Sequence, residues 1–307
     1  MALIAYGGAT RANFGDLLEP GFRTIFFDQF QTLPTVYDKV FKVNSSSKQQ
    51  EYDSSVSGFG QLVETTEGAP ITYEDPIQGY DTSYVHKKYA KGFKITREMY
   101  EDDQYGIMAK MPKALAAATN RTVENIAAGV LDVASATAFG GSLGGDGQYL
   151  FSAAHPRTDG GTAQDNSSTQ NLEEVNLTIA LLAMRNTLDD KGQKILVQPD
   201  TLLIPPGLEV TASILMKSTG RTATNYNEIN PYQGRLNIVV WDYLDGNTTQ
   251  WFVLDSGLKQ LNFFWRVKPE FAQDESFDTD AALYKTRCRF SVGFSDWRGV
   301  WGSTGTA

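Results

Sequence analysis

Two histidines, one cysteine and a few acidic groups are the residues of this 307-residue chain that could do chemistry. His155 precedes Pro156 in a polar stretch of small residues, and with nearby carboxylates it is the candidate acid or base of a catalytic site. The plainer reading is a turn histidine whose hydrogen bonds are satisfied. His86 stands next to Lys87 and Lys88 in what reads as a solvated strand. Cys288 lies between Arg287 and Arg289 in a regular strand, and no Gly-x-Ser-x-Gly elbow accompanies it, so nucleophilic catalysis lacks its constellation. Glu98, Glu101, Asp102 and Asp103 open a helix, where the macrodipole favours negative charge without any catalytic role. The glycine-rich run from Phe139 to Gly147 lacks the Gly-Lys-Ser/Thr ending of a phosphate loop and follows a helix, which makes it a helix stop. Asp274, Asp278 and Asp280 have the spacing of a calcium loop, but Thr279 stands where glycine is required and Lys285 where the bidentate glutamate belongs. The sequence therefore assigns no catalytic residue, no cofactor and no metal ligand, and the expectation is a protein without enzymatic activity.

Composition narrows the classes further. Hydrophobic residues at 41% and aromatics at 12% are those of a folded protein, and the length allows about two domains. Lys and Arg number 27 against 36 Asp and Glu, a net charge of −9, the wrong sign for a protein whose work is to neutralise phosphates. A single cysteine forms no internal disulfide. No apolar run approaches the ~18 residues that cross a bilayer, and no basic-then-apolar leader is present, so the expectation is a soluble protein that stays in the cytoplasm where it is made. Five Asn-x-Ser/Thr triplets, at Asn44, Asn120, Asn166, Asn176 and Asn247, read as polar turns.

The elements that must position these residues come in an unusual order. Phe14, Leu17, Leu18, Phe22, Phe26 and Phe30 fit a helix over about 14–30, ending before Pro34. Residues 44–92 hold 14 apolar residues in 49, about 29%, too few for a core of their own. Extended stretches over 50–66 and 71–92 flank a turn at Glu67-Gly68-Ala69-Pro70, the pattern of a half-buried hairpin whose apolar face needs a surface outside itself. Thr96 is a candidate N-cap. A long helix over 112–138, opened by Pro112, carries Leu115, Ala118, Thr122, Ile126, Val130 and Val133 as its stripe. A second helix starts at Asn171, with the stripe Leu172, Val175, Ile179 and Leu182, and stops at Gly192. Short strands over 194–198 and 201–205, then a helix opened by Pro206 with Leu208, Ala212 and Leu215, complete an α+β unit. The stretches 235–243 and 250–254 flank Asp245-Gly246-Asn247 as a hairpin, and 258–270 forms an aromatic strand. In the last strand Ala282, Tyr284, Thr286, Cys288, Phe290, Val292 and Phe294 share one face, and Lys285, Arg287, Arg289 and Ser291 the other.

Four stretches carry a resemblance: Gly92 to Asp103 leading into the helix, the His155-Pro156 loop, Leu202 to Glu209, and Arg289 to Arg298. With that order of elements the chain resembles the major capsid proteins of tailed bacteriophages with the Hong Kong 97-type α+β fold, in particular the Mu-like prophage major head subunit family. The resemblance implies an N-terminal arm (1–45), an extended loop (46–92) that overlaps a neighbour, a peripheral domain with a long spine helix (93–170 and 261–307), and an axial domain (171–260). It implies a virion structural protein that forms the pentamers and hexamers of an icosahedral head around double-stranded DNA, without sequence-specific binding, assembled in the host bacterial cytoplasm. Phe59, Tyr73, Tyr80, Phe22 and Phe26 are then the candidate inter-subunit contacts. Portal and decoration proteins are implied partners, and the arm's start next to Met1 adds the expectation of a separate scaffolding protein. Some relatives weld subunits through a lysine of the extended loop; with none between Lys48 and Lys87, no such cross-link is expected. The competing readings are an encapsulin-like compartment and, from another class, an enzyme using His155 and nearby acids.

Overall fold

A computed structural model describes residues 14–96, 98–99, 102, 106–131, 143–221, 228–244, 246–258, 260–276 and 281–305. Helix α1 (Phe14–Thr32) is followed by the single turn α2 (Tyr37–Val40) and strands β1 (Lys42–Ser45), β2 (Gln50–Val56), β3 (Gln78–Val85) and β4 (Lys87–Thr96). The spine α3 (Ile107–Gly129) leads through a long loop to β5 (Ser167–Ser168), α4 (Glu174–Arg185) and β6 (Thr201–Ile204). After a 3-10 turn come α5 (Glu209–Lys217), β7 (Asn237–Val240), β8 (Trp251–Leu254), β9 (Leu261–Ser276), β10 (Ala281–Phe294) and β11 (Val300–Ser303). Mixed helices and two separate multi-stranded sheets make this an α+β fold, as expected.

One sheet runs β1-β9-β10-β4 and the other β5-β11-β8-β6-β7, while β2 and β3 pair only with each other. Strand alternation divides the apolar residues between two cores. Leu203, Phe252 and Leu254 face Phe263, Trp265 and Phe290 of the first sheet, with Val123 and Ala127 of α3 alongside. Leu202, Ile204, Trp251 and Val253 face the other way, under Leu177 and Leu181 of α4 and Ala212 and Leu215 of α5. A third cluster joins Phe22 and Phe26 of α1 to Leu115, Phe271 and Tyr284.

Several local expectations change. The hairpin arms are shorter than 50–66 and 71–92: residues 57–77 hold no strand, and β4 leaves the hairpin to pair with β10 over ten residues. The spine begins five residues before Pro112, after Gly106 at φ +61°, a left-handed conformation that glycine tolerates. Its expected end and Val133 lie outside the described residues. It buries Leu115 and Ala116, then Thr119, Asn120, Val123, Glu124, Ala127 and Ala128, a stripe turned by about one residue from the expected one. The α4 stripe is inverted: Val175, Ile179 and Leu182 are exposed, and Leu177, Ala180, Leu181 and Met184 are buried. Residues 194–198 are not a strand. The expected hairpin of 235–243 with 250–254 does not form, because β6 lies between β7 and β8, parallel to one and antiparallel to the other. The Asn triplets are not all turns: Asn44 is in β1, Asn120 in α3 and Asn176 in α4.

Candidate functional site

The loop from 143 to 168 returns on itself at a bridge in which the His155 N–H donates to Gln164 O at 2.7 Å and the Gln164 N–H to His155 O at 3.0 Å. This places the His155 ring in the interior, 0% exposed, stacked on Trp297 with centroids 4.4 Å apart. Its Nε2 lies 3.1 Å from Asn166 Oδ1 and its Nδ1 2.6 Å from Asp146 Oδ2. The Asn166 amide is oriented by its own bonds, since Nδ2 donates to Leu150 O and Val300 O and Oδ1 accepts the Ser152 N–H. The Asn166 and Asp146 side-chain oxygens thus lie against the two ring nitrogens, one on each. Next in sequence, Arg298 donates to Leu188 O, Asp296 and Asp190, and its guanidinium lies 5.3 Å over Trp297. A pocket beside Asp146, Trp297 and Arg298 holds about 20 Å³, room for a single water. The arrangement ties the 143–168 loop to the C-terminal segment and the turn after α4, with both ring nitrogens occupied by side chains of the chain itself.

The other candidates take up structural positions. His86 is buried, against the expected solvated strand, because Ser46 and Ser291 close over it at 3.1 and 3.0 Å from its two nitrogens. Burial pushes its imidazole below the ordinary pKa. Cys288 is on the buried face, its thiol pushed up to about 11 by burial. Thr96 Oγ1 accepts the Met99 N–H at 3.4 Å, as an N-cap does. Glu101, Asp103, Asp278 and Asp280 lie outside the described residues, as do 139–142 of the glycine run. No three His, Cys, Asp or Glu side chains converge on a metal position among the described residues. A polar site that sequence reasoning missed is Glu124, 1% exposed, whose carboxylate accepts the Val36 N–H at 2.9 Å and Trp241 Nε1–H at 2.7 Å. Its only sequence signal is a charge spaced four residues from Asn120 in an alanine-rich helix.

The feature left unpartnered is a surface. Between Tyr52 and Ile77 eight large apolar side chains stand in water, among them Phe59 at 65%, Leu62 at 101% and Tyr73 at 87% exposure. Tyr80 is half-buried at the root of the hairpin, where Gly145 lets it approach: a Cβ there would meet Tyr80 Cβ at 2.8 Å and Asp81 O at 2.7 Å. Phe22 and Phe26 are not available to a neighbour, because α1 turns them into its own subunit's core against Tyr284 and Phe271. The far part of the loop touches its own chain at Lys191, which donates to Glu74 Oε1 at 2.5 Å and Asp75 O at 3.2 Å and lies 5.8 Å over the Phe59 ring. That bond holds the Glu74 carboxyl below the usual range.

Comparison with known proteins places this architecture. A stretch of 136 residues is 29% identical to the Mu-like prophage FluMu major head subunit of Haemophilus influenzae, covering 44% of this chain and 42% of that protein, less than half its length. Among solved structures the chain is similar to that of Microbacterium phage Oxtober96, with a TM-score of 0.57 at 11% identity over 90% of this chain and 92% of that one. It is also similar to the bacteriophage JBD30 capsid, with a TM-score of 0.53 at 16% identity over 72% and 94% of the two chains. These likenesses establish the tailed-phage capsid fold. The sequence profile of a family described as phage capsid protein matches residues 79–303, and the chain belongs to that family.

Proposed function

We propose that this chain is the major capsid subunit of an icosahedral phage head, forming its pentamers and hexamers around double-stranded DNA and acting as a structural protein without catalysis. The observation that carries this is the loop between Tyr52 and Ile77, which leaves eight large apolar side chains in water. Covering each on a neighbour would contribute about 1.5–3 kcal/mol before the costs of association, a strong drive to assemble. Residues 46–92 then serve as the extended loop, with Phe59 and Tyr73 as anchors and Tyr80 fixing the loop's root. Residues 1–45 form the arm, 93–170 with 261–307 the peripheral domain around the spine, and 171–260 the axial domain. Scaffolding, portal and decoration proteins are the partners of such a head, assembled in the host cytoplasm. Deleting residues 52–80 is expected to leave a soluble subunit with no shells under electron microscopy; shells of normal yield would defeat the proposal. Particles filled with a cargo protein and no DNA would favour the compartment reading.

A further inference from the structure

The net charge of −9 is unevenly placed. Residues 50–85 carry seven carboxylates and no Lys or Arg, so −9 less −7 leaves the rest of the chain at only −2. The adjoining strand β4 has four lysines and no acid, and its partner β10 adds Lys285, Arg287 and Arg289, also without an acid. Register decides which of these share a face. Arg289 is opposite Lys88, Arg287 opposite Ala90, Lys285 opposite Gly92 and Leu283 opposite Lys94, and side chains directly opposite point to the same side. That side faces away from the core: positions 88, 90, 92, 94, 283, 285 and 287 are all exposed. The small residues Ala90 and Gly92 form a low floor between the lysines, so the face is a shallow basic trough. On the next strand Glu270 and Asp274 stand at its far margin, opposite Arg287 and Leu283, and Glu270 binds Arg287 at 2.8 Å.

Two observations say what covers the trough. The acidic loop already takes a lysine by three acceptors within its own chain, the Glu74 carboxylate, the Asp75 carbonyl and the Phe59 ring at Lys191. The same contact holds the chain's own loop at the turn after α4, while its root covers only the other end of the face, with Tyr84 against Phe264 and His86 on Ser291. The basic part is left open to another molecule. We propose that in the assembled particle the acidic loop of a second copy lies along the outer face of β4 and β10, pairing its carboxylates with Lys88, Lys94, Lys285, Arg287 and Arg289. This rests on the self-assembly reading and adds to it the surface and the chemistry of the contact.

The test reverses each side of the contact in the full chain, using residues outside any core, of which Lys285, Glu64 and Glu67 are exposed and Arg289 is half-buried. Lys285→Glu with Arg289→Glu reverses the face, and Glu64→Lys with Glu67→Lys reverses the loop. Each pair is expected to lower particle yield, by sedimentation and electron microscopy, by about tenfold or more, and the chain carrying all four changes to recover to within about threefold of the unaltered protein. Recovery also shows that the reversed chains fold. Carbodiimide treatment of particles made from isotopically mixed copies is expected to join Glu64 or Glu67 of one copy to Lys88, Lys94 or Lys285 of another. Full yield from both reversed chains would overturn the contact while leaving the capsid reading intact, and so would the absence of recovery or of inter-copy cross-links. Normal shells from the face-reversed chain that no longer retain duplex DNA would assign the trough to nucleic acid instead. An unaltered chain that forms no particles at any salt would defeat the self-assembly reading itself, and this contact with it.

Discussion

Glu124 puts a carboxylate in the middle of the subunit, where it holds the end of the N-terminal segment through the Val36 N–H and the β7 side through Trp241. Burial pushes its pKa up, while the N–H donors act in the opposite direction. Truncation to alanine leaves the buried Trp241 Nε1–H without an acceptor, at about 1–3 kcal/mol, and the partly buried Val36 N–H as well. Glu124→Ala is therefore expected to lower the thermal midpoint of the soluble subunit by about 4 °C or more, measured by circular dichroism. An unchanged midpoint would show that water replaces the carboxylate. The burial of Glu124 could not be read from the sequence, because alanines at 116–118 and 127–128 satisfy either rotation of the helix, and a charged residue is assigned to solvent by default. His155 was more legible. A His-Pro pair in a loop of small polar residues suggested a satisfied turn, and the structure supplies the partners Asp146, Asn166 and Trp297 that satisfy it.

Among the elements, α4 shows how one helix carries two readable stripes. Val175, Ile179 and Leu182 fit the helical period as well as Leu177, Ala180, Leu181 and Met184 do, and only the sheet beneath selects the second set. The turn at 245–247 likewise has hairpin chemistry, yet β6 captures both neighbouring strands, so local turn preference yields to long-range pairing. The hairpin of β2 and β3 tests the same balance. A two-stranded ribbon is marginal by itself, and it is held at its root by the close approach of Gly145 to Tyr80 and Asp81. Gly145→Ala is expected to lift the root and to speed limited proteolysis within 50–85 severalfold, with the sheets still protected. A digestion pattern identical to that of the unaltered protein would mean that the root does not depend on this approach.

For the whole molecule, charge segregation gives the composition a different meaning. The acidity that argued against phosphate binding belongs mostly to the loop, and a basic trough lies on the sheet that the loop's root crosses. Like charges on neighbouring loops repel, and the trough offers them a place of opposite sign, so contacts between copies are expected to weaken with salt. The loop carries no lysine from residue 49 to residue 86, so these contacts contain no loop amine to form a covalent bond. Assembled particles boiled in detergent are accordingly expected to run as a single band at the mass of one subunit, 33.8 kDa. A ladder of covalent oligomers would contradict this.

The sequence by itself determined what repeats locally. The two-residue alternation of β10, the length and alanine content of the spine, the apolar poverty of 44–92 and the order of elements all follow from neighbours a few positions apart, and they sufficed for the family resemblance. The tertiary structure decided which partner each element met. It set the rotation of α3, the inversion of α4, the separation of β7 from β8, the inward turn of Phe22 and Phe26, and the burial of His86 and Glu124. The physical reason is the same in each case. Periodicity specifies that an element has faces, but which face loses its water depends on surfaces that arrive from more than a hundred residues away, as Ser291 does for His86 and Trp241 for Glu124.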